Sequence, residues 1–286
     1  MVSNLLTTPS FDKALRTLDA IAAIGNNVLE GSLDTKIFYL HLHKCGGTSI
    51  AQAIKACYQS FSSIIEHNTF HLNGAAASSA ARKYFEDTPI TAEDNDYLIG
   101  KFRESLLLYY MCQPNINYIA GHFSFSEAAY QNFSDKYAFV TVLRNPVKRL
   151  ISAYFYSQQE ISKLSEEDLL NFLDSERALR GGYMYVKSIG GLVQSGDYTS
   201  EAAIKRAQEN LHKFRLIGFL EHKEVFIEQF EQKFGRKLKI RNYNQNSKAK
   251  TAKQSLISEK IEAKIREICQ PDMEVYEYAL THFLSR

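Results

Sequence analysis

Residues 39–49 read Tyr-Leu-His-Leu-His-Lys-Cys-Gly-Gly-Thr-Ser, a run whose residue types suit the binding of an anion. Gly46 and Gly47 let backbone N–H groups approach an oxyanion closely. A helix starting directly after them adds about half a positive charge at its N-terminus. Lys44 supplies a full charge, and Thr48 and Ser49 supply hydroxyl donors. Two glycines alone would indicate only a tight turn; strand, lysine, glycines and hydroxyls together point to a phosphate cradle. It is not a Walker A loop, because that motif places its lysine after the glycines and Lys44 precedes them. His41 and His43 point to the same side of a strand and suggest a metal pair, but no third ligand stands at a recognisable spacing, so no metal is expected.

A second group lies at Arg144-Asn145-Pro146-Val147-Lys148-Arg149-Leu150-Ile151-Ser152-Ala153-Tyr154. Arg144 ends an apolar run, where open α/β sheets bind ligands. Asn145 suits an N-cap, and Pro146 suits the first helical position. Arg149 and Ser152 are three apart and share a helix face, so guanidinium and hydroxyl together suit a phosphate. An ordinary surface helix laced with ion pairs reads equally well on this segment alone. A third group is Ala120-Gly121-His122-Phe123-Ser124-Phe125. On its own, His122 would read as a structural histidine.

Together these segments resemble the PAPS-dependent sulfotransferases, in particular the membrane-type carbohydrate group that includes the heparan sulfate 2-O-sulfotransferases and the bacterial family 2 proteins. PAPS is 3′-phosphoadenosine-5′-phosphosulfate. The first segment is similar to the family's phosphosulfate loop, H-I-P-K-T-G-G-T-S, with His43 in place of the proline and Cys45 in place of the threonine. The second is similar to its 3′-phosphate motif, R-D-P-V-x-R-x-x-S-x-Y, with Asn145 in place of the acidic residue. The third is similar to a G-H-x-x-F stretch whose histidine is the proposed base. Weaker echoes follow at Ile217–Glu221 and Asp272–Tyr278.

The resemblance implies PAPS as sulfonate donor, held by Lys44, Cys45, Gly46, Gly47, Thr48, Ser49, Arg144 and Ser152. It implies His122 and Lys44 as catalytic residues, a carbohydrate hydroxyl as acceptor, and a P-loop-like three-layer α/β fold with a central parallel sheet. Hydroxyls are weak nucleophiles at neutral pH, so in-line displacement needs a base, and a histidine titrating near about 6.5 is suitable. Lys44 and the loop N–H groups would stabilise charge growing on the leaving phosphate. No metal is required, because the leaving group is already a stable anion. Direct transfer needs no covalent intermediate, so Cys45, despite lying beside Lys44 at a helix start, is not assigned as a nucleophile. Two rivals remain: a P-loop kinase or NTPase, which the missing Gly-Lys-Ser/Thr ending disfavours, and a non-catalytic nucleotide- or glycan-binding module.

The elements that must position these residues follow from periodicity. Lys36–Leu42 and Tyr137–Leu143 are apolar on both faces and read as buried parallel strands. Tyr118–Gly121 and Phe214–Leu220 read as further strands. Helices are expected at about 48–59, 146–159, 221–234, 258–269 and 272–284, the third with Phe226, Phe230 and Phe234 on one face. The alternation predicts one α/β domain over 36–286, preceded by a helical extension over 1–35 whose helix begins after Ser10. Residues 60–116 are weakly patterned; the acidic cluster of Glu86, Asp87, Glu93, Asp94 and Asp96 reads as a solvated face or loop. Five glycines between 180 and 196 indicate a mobile or tightly turned segment. Lys233–Lys253 holds eight basic residues and no acidic one, suiting either a solvated loop or one that closes over the nucleotide's 3′-phosphate side or an anionic acceptor.

Composition bounds these expectations. The 286 residues carry 34 Lys+Arg and 32 Asp+Glu, a net charge of +2, with 45% hydrophobic and 23% charged residues. That mix excludes a disordered tail, a collagen and a disulfide scaffold. The small net charge argues against a general nucleic-acid binder while leaving room for one local anion site. Cys45, Cys57, Cys112 and Cys269 are far apart and read as free thiols of a reducing compartment. Without a signal-peptide pattern or an apolar run of membrane-spanning length, a cytoplasmic protein independent of membranes is expected.

Overall fold

The computed structural model describes residues 25, 27, 31–59, 67–86, 92–158, 164–194, 196–240 and 256–285. Five strands form one all-parallel sheet: β1 Lys36–Leu40, β2 Thr69–His71, β3 Tyr118–Gly121, β4 Tyr137–Leu143 and β5 Leu216–Phe219. Their order is β2-β3-β1-β4-β5. The chain lays β2 and β3 on one side of β1, then crosses to place β4 and β5 on the other. Such a reversal is a topological switch point, and it opens a crevice beyond the carboxyl ends of the strands. Leu40 pairs with Gly121 and Thr141, and His71 with Ala120. His41, His71, His122 and Arg144 therefore leave the sheet at one edge.

The helices among the described residues are α1 Gly47–Ala56, α2 Gly74–Tyr84, α3 Ala92–Met111, α4 Glu127–Phe133, α5 Pro146–Tyr156, α6 Glu166–Leu173, α7 Glu176–Gly182, α8 Met184–Gly190, α9 Glu201–Leu211, α10 Lys223–Phe234, α11 Glu259–Ile268 and α12 Gln270–Phe283. Strand β1 shows why the sheet is the middle layer. Phe38 and Leu40 enter one cluster with Phe139, Tyr185, Ile189 and Val275. Ile37 and Tyr39 enter the other with Ile50, Ile54, Phe226 and Phe230. Burying each such side chain contributes about 1.5–3 kcal/mol. This is the expected three-layer α/β fold. A third cluster, including Leu150, Leu169, Leu173, Ile261 and Ile265, joins α5, α6 and α11.

Several expectations change. The weakly patterned stretch holds β2, α2 and α3; a three-residue strand is too short to show a period, and among its described side chains α3 buries only Leu107 and Met111. Asp96 is no loop carboxylate: it accepts from Lys187 at 2.8 Å and Arg180 at 3.2 Å, tying α3 to α7 and α8. The glycine-rich stretch is largely helical. A Cβ on Gly182 would lie 2.0 Å from the Ile268 carbonyl oxygen, so this glycine lets the α7 and α11 backbones touch. The expected first helix, ending near Gly25, lies outside the described residues apart from Gly25 itself. Asn27 Nδ2 donates to the Ala56 and Gln59 carbonyls at 2.7 Å each, which docks it at the end of α1.

One ion pair is almost wholly buried. Arg149 and Asp272 are 2% and 0% exposed, with Nη2 and Oδ2 3.4 Å apart. Asp272 Oδ1 also accepts the N–H groups of Tyr185 (2.7 Å) and Val186 (3.1 Å), at the start of α8. Arg149 Nη2 donates to the Gly181 carbonyl as well. Replacing Asp272 by alanine would leave a buried guanidinium uncompensated, so Asp272→Ala should cost about 3–5 kcal/mol in urea unfolding. A loss below about 1 kcal/mol, the scale of an exposed pair, would show that the pair carries no such weight.

Candidate active site

Among the described residues, seven helices are capped by side chains: Asn73, Ser126, Asn145, Ser165, Ser175, Ser200 and Ser258 each accept an N–H three residues on. Helix α1 differs. Its N-cap is Gly46 at φ 70°, no side chain caps it, and its first turn carries no acid. Its leading N–H groups and dipole are thus left for an anion. Thr48 is exposed and Ser49 half-buried on that first turn. Lys44, itself in the left-handed region at φ 64°, places Nζ 3.6 Å from the centroid of the Tyr156 ring, a cation–π contact. Gly47 is buried because the His41 ring occupies the space a Cβ would need: that atom would lie 1.9 Å from Cδ2.

Cys45 turns the other way. Its thiol is fully buried, 3.2 Å from the Tyr185 hydroxyl and 3.6 Å from the His43 carbonyl. Burial pushes it up to about 11, so it is no thiolate, and only its backbone faces the loop.

The second segment meets the first. Arg144 Nη1 donates to the Lys44 carbonyl at 3.1 Å, across 100 residues of chain. The Tyr185 hydroxyl donates to the Arg144 carbonyl at 2.6 Å and accepts the Arg144 N–H at 2.8 Å. Asn145 Oδ1 caps α5 through the Lys148 N–H, and the Asn145 N–H goes to Glu221 at 3.2 Å. Glu221 also accepts the Tyr276 hydroxyl at 3.2 Å. Ser152 is half-buried on α5. Arg149 departs from its expected role: it faces the interior and Asp272, where a phosphate cannot reach it.

At the same edge the histidines converge. The ring of His41 lies 4.4 Å from that of His122 and 6.3 Å from that of His71, and His43 lies 5.6 Å from His122. His122 Nδ1 is 2.7 Å from the His41 carbonyl. A carbonyl can only accept, so Nδ1 carries the proton and Nε2 keeps its lone pair. Burial lowers His122 below its ordinary value, with the His41 carbonyl pulling the other way. The ring is therefore neutral at neutral pH, as a general base requires. Arg103 steadies this turn by donating to the His122 carbonyl at 3.1 Å and the Ser78 hydroxyl at 2.8 Å. Among the described residues no three of His, Cys, Asp and Glu form a group that could hold a metal ion.

His71, Arg103 and Tyr185 complete the site without any signal in the sequence. Each sits on a segment whose pattern is weak or glycine-rich, and each meets its partners from far along the chain. A cavity of about 580 Å³ lies instead at the opposite edge, at the amino ends of β4 and β5, lined by Lys136, Lys213, Arg215 and Lys233 among others. It contains none of the residues above. Lys233 lines that cavity and Arg236 donates to the Gly31 carbonyl, so the start of the basic run lies away from Arg144. Its continuation over 241–253 lies outside the described residues.

Among families of known proteins, the model described as the sulfotransferase family matches residues 32–279, most of the chain. No curated protein matches it.

The histidines held below their ordinary value make stability depend on pH. Burial holds His41 at about 3 and the more exposed His43 at about 4, and lowers His71 and His122. Unfolded, each takes a proton near about pH 6.5. Below that pH the unfolded state binds more protons, so stability falls, for buried His41 by up to about 1.4 kcal/mol per pH unit. Asp272, pushed up to about 7 by burial, opposes this between about pH 4 and 7, while His43 and His71, exposed to solvent, contribute less than His41. Between about pH 7.5 and about pH 5.5, urea unfolding should show wild type losing more stability than His41→Leu, by up to about 1.4 kcal/mol; equal pH profiles contradict it.

Proposed function

The chain belongs to the sulfotransferase family, a family of enzymes that transfer sulfonate groups, and from that premise we propose that it moves sulfonate from PAPS to a hydroxyl of a carbohydrate. The observation that carries the reading is the hydrogen bond from His122 Nδ1 to the His41 carbonyl, which leaves Nε2 as a lone pair at the crevice edge. The residues suit such a donor: an uncapped helix head beside Lys44 for one phosphate group, and Arg144 beside it for another. PAPS supplies an activated sulfonate whose loss leaves a stable bisphosphate. His122 Nε2 takes the proton of the attacking hydroxyl. Lys44 leaves the Tyr156 ring to meet charge growing at the leaving oxygen, together with the first N–H groups of α1. No residue in this scheme forms a covalent bond, in keeping with the buried, protonated Cys45. A carbohydrate acceptor follows from the resemblance of the motifs, and the kinase alternative lacks the lysine that would have to follow the glycines.

Adenosine 3′,5′-bisphosphate should stabilise the protein without magnesium, by about 2.7 kcal/mol at about 100 times its Kd. Arg144→Ala should lose most of that shift; an equal shift in the variant removes the nucleotide assignment. With radiolabelled PAPS and an acceptor panel, His122→Ala should lower kcat by about 10²–10⁴-fold and leave bisphosphate affinity intact. An unchanged rate would remove His122 as the base.

A further inference from the structure

The His41 ring is 8% exposed, packed 4.4 Å from the His122 ring and 5.8 Å from the Tyr39 ring. Its two nitrogens differ. Nδ1 is buried and has no hydrogen-bond partner among the described residues. Nε2 faces Gly47, the first residue of α1, so closely that a Cβ there would lie 2.0 Å away. Burial keeps the ring neutral, at about 3. A neutral imidazole carries one N–H and one lone pair.

The burial of Nδ1 decides where that proton sits. A proton on Nδ1 would bury an N–H donor with nothing to accept it, at a cost of about 1–3 kcal/mol. Truly orphaned N–H groups are rarer in proteins than under-used acceptors. The proton therefore belongs on Nε2, at the edge that meets the anion-binding loop. We propose that His41 presents a neutral Nε2–H to the tetrahedral oxyanion, sulfonate or phosphate, held at the head of α1. This rests on the nucleotide reading of the loop given above. The two neighbouring rings then hold opposite tautomers. His122, protonated on Nδ1 by the His41 carbonyl, accepts at Nε2, while His41 donates at Nε2. Gly47 admits the donor, since any side chain at that position would displace the ring.

A ring that only fills space would affect stability alone, so the test reads tautomer and affinity. Long-range ¹H–¹⁵N NMR on the whole protein should show His41 as the Nε2–H form and His122 as the Nδ1–H form. Adenosine 3′,5′-bisphosphate should bind His41→Leu, which has similar bulk and no donor, about tenfold or more weakly than wild type. His41→Gln, whose amide can donate from a similar reach, should stay within about threefold of wild type. An Nδ1–H form for His41, or wild-type affinity in His41→Leu, overturns the proposal; should that variant fail to fold, the tautomer of the wild type decides. If wild type does not bind the bisphosphate, the nucleotide reading falls and takes this ligand with it. Binding by wild type with no loss in His41→Leu overturns the role of His41 alone.

Discussion

One phenol oxygen holds in register the two segments proposed to bind the nucleotide. The Tyr185 hydroxyl donates to the Arg144 carbonyl, accepts the Arg144 N–H, and lies 3.2 Å from the Cys45 thiol. Burial raises its pKa well above the ordinary tyrosine value, so it remains a neutral donor. The Arg149 guanidinium lies 5.4 Å from the Tyr185 ring centroid, and the Tyr185 N–H ends on Asp272. The chain of contacts runs from α12 through Asp272 to α8 and α5, and from there to both loops. Each bond is worth only about 1 kcal/mol net, yet leaving any partner buried and unpaired costs more. The site's rigidity therefore comes from behind it, from the buried ion pair inward of Tyr185.

This arrangement gives Cys45 a reason. The resemblance places a threonine there, and its replacement looks like the loss of a hydroxyl from the loop. The thiol instead points inward and anchors the loop to Tyr185. To the proposed anion the loop then offers backbone N–H groups, Lys44 and the uncapped start of α1. Where a cap would have consumed those N–H groups, Gly46 leaves them available.

The middle layer was legible because β1 and β4 are apolar on both faces, which only a covered parallel strand explains. The loop after β1 and the histidine after β3 were legible because their chemistry is local: a few consecutive residues at a strand end. Arg149 was not. Its sequence neighbours make it look like a phosphate ligand, and only Asp272, 123 residues later, turns it inward. Tyr185 hid in a glycine-rich stretch whose glycines allow close helix packing rather than loose turns. His71 sits at the end of a three-residue strand, too short to carry a period. What escaped the sequence was set by long-range contacts, which no local pattern encodes.

The central claim is that the buried tie through Tyr185 holds in place the two loops proposed to bind the nucleotide. Removing one hydroxyl tests it with little change in volume. In Tyr185→Phe, the affinity for adenosine 3′,5′-bisphosphate, measured by calorimetry at a temperature where the variant is folded, should fall about five- to tenfold, since the Arg144 N–H and carbonyl lose their partner. An affinity equal to that of wild type would show that the loops keep their geometry without the tie, and would contradict the account.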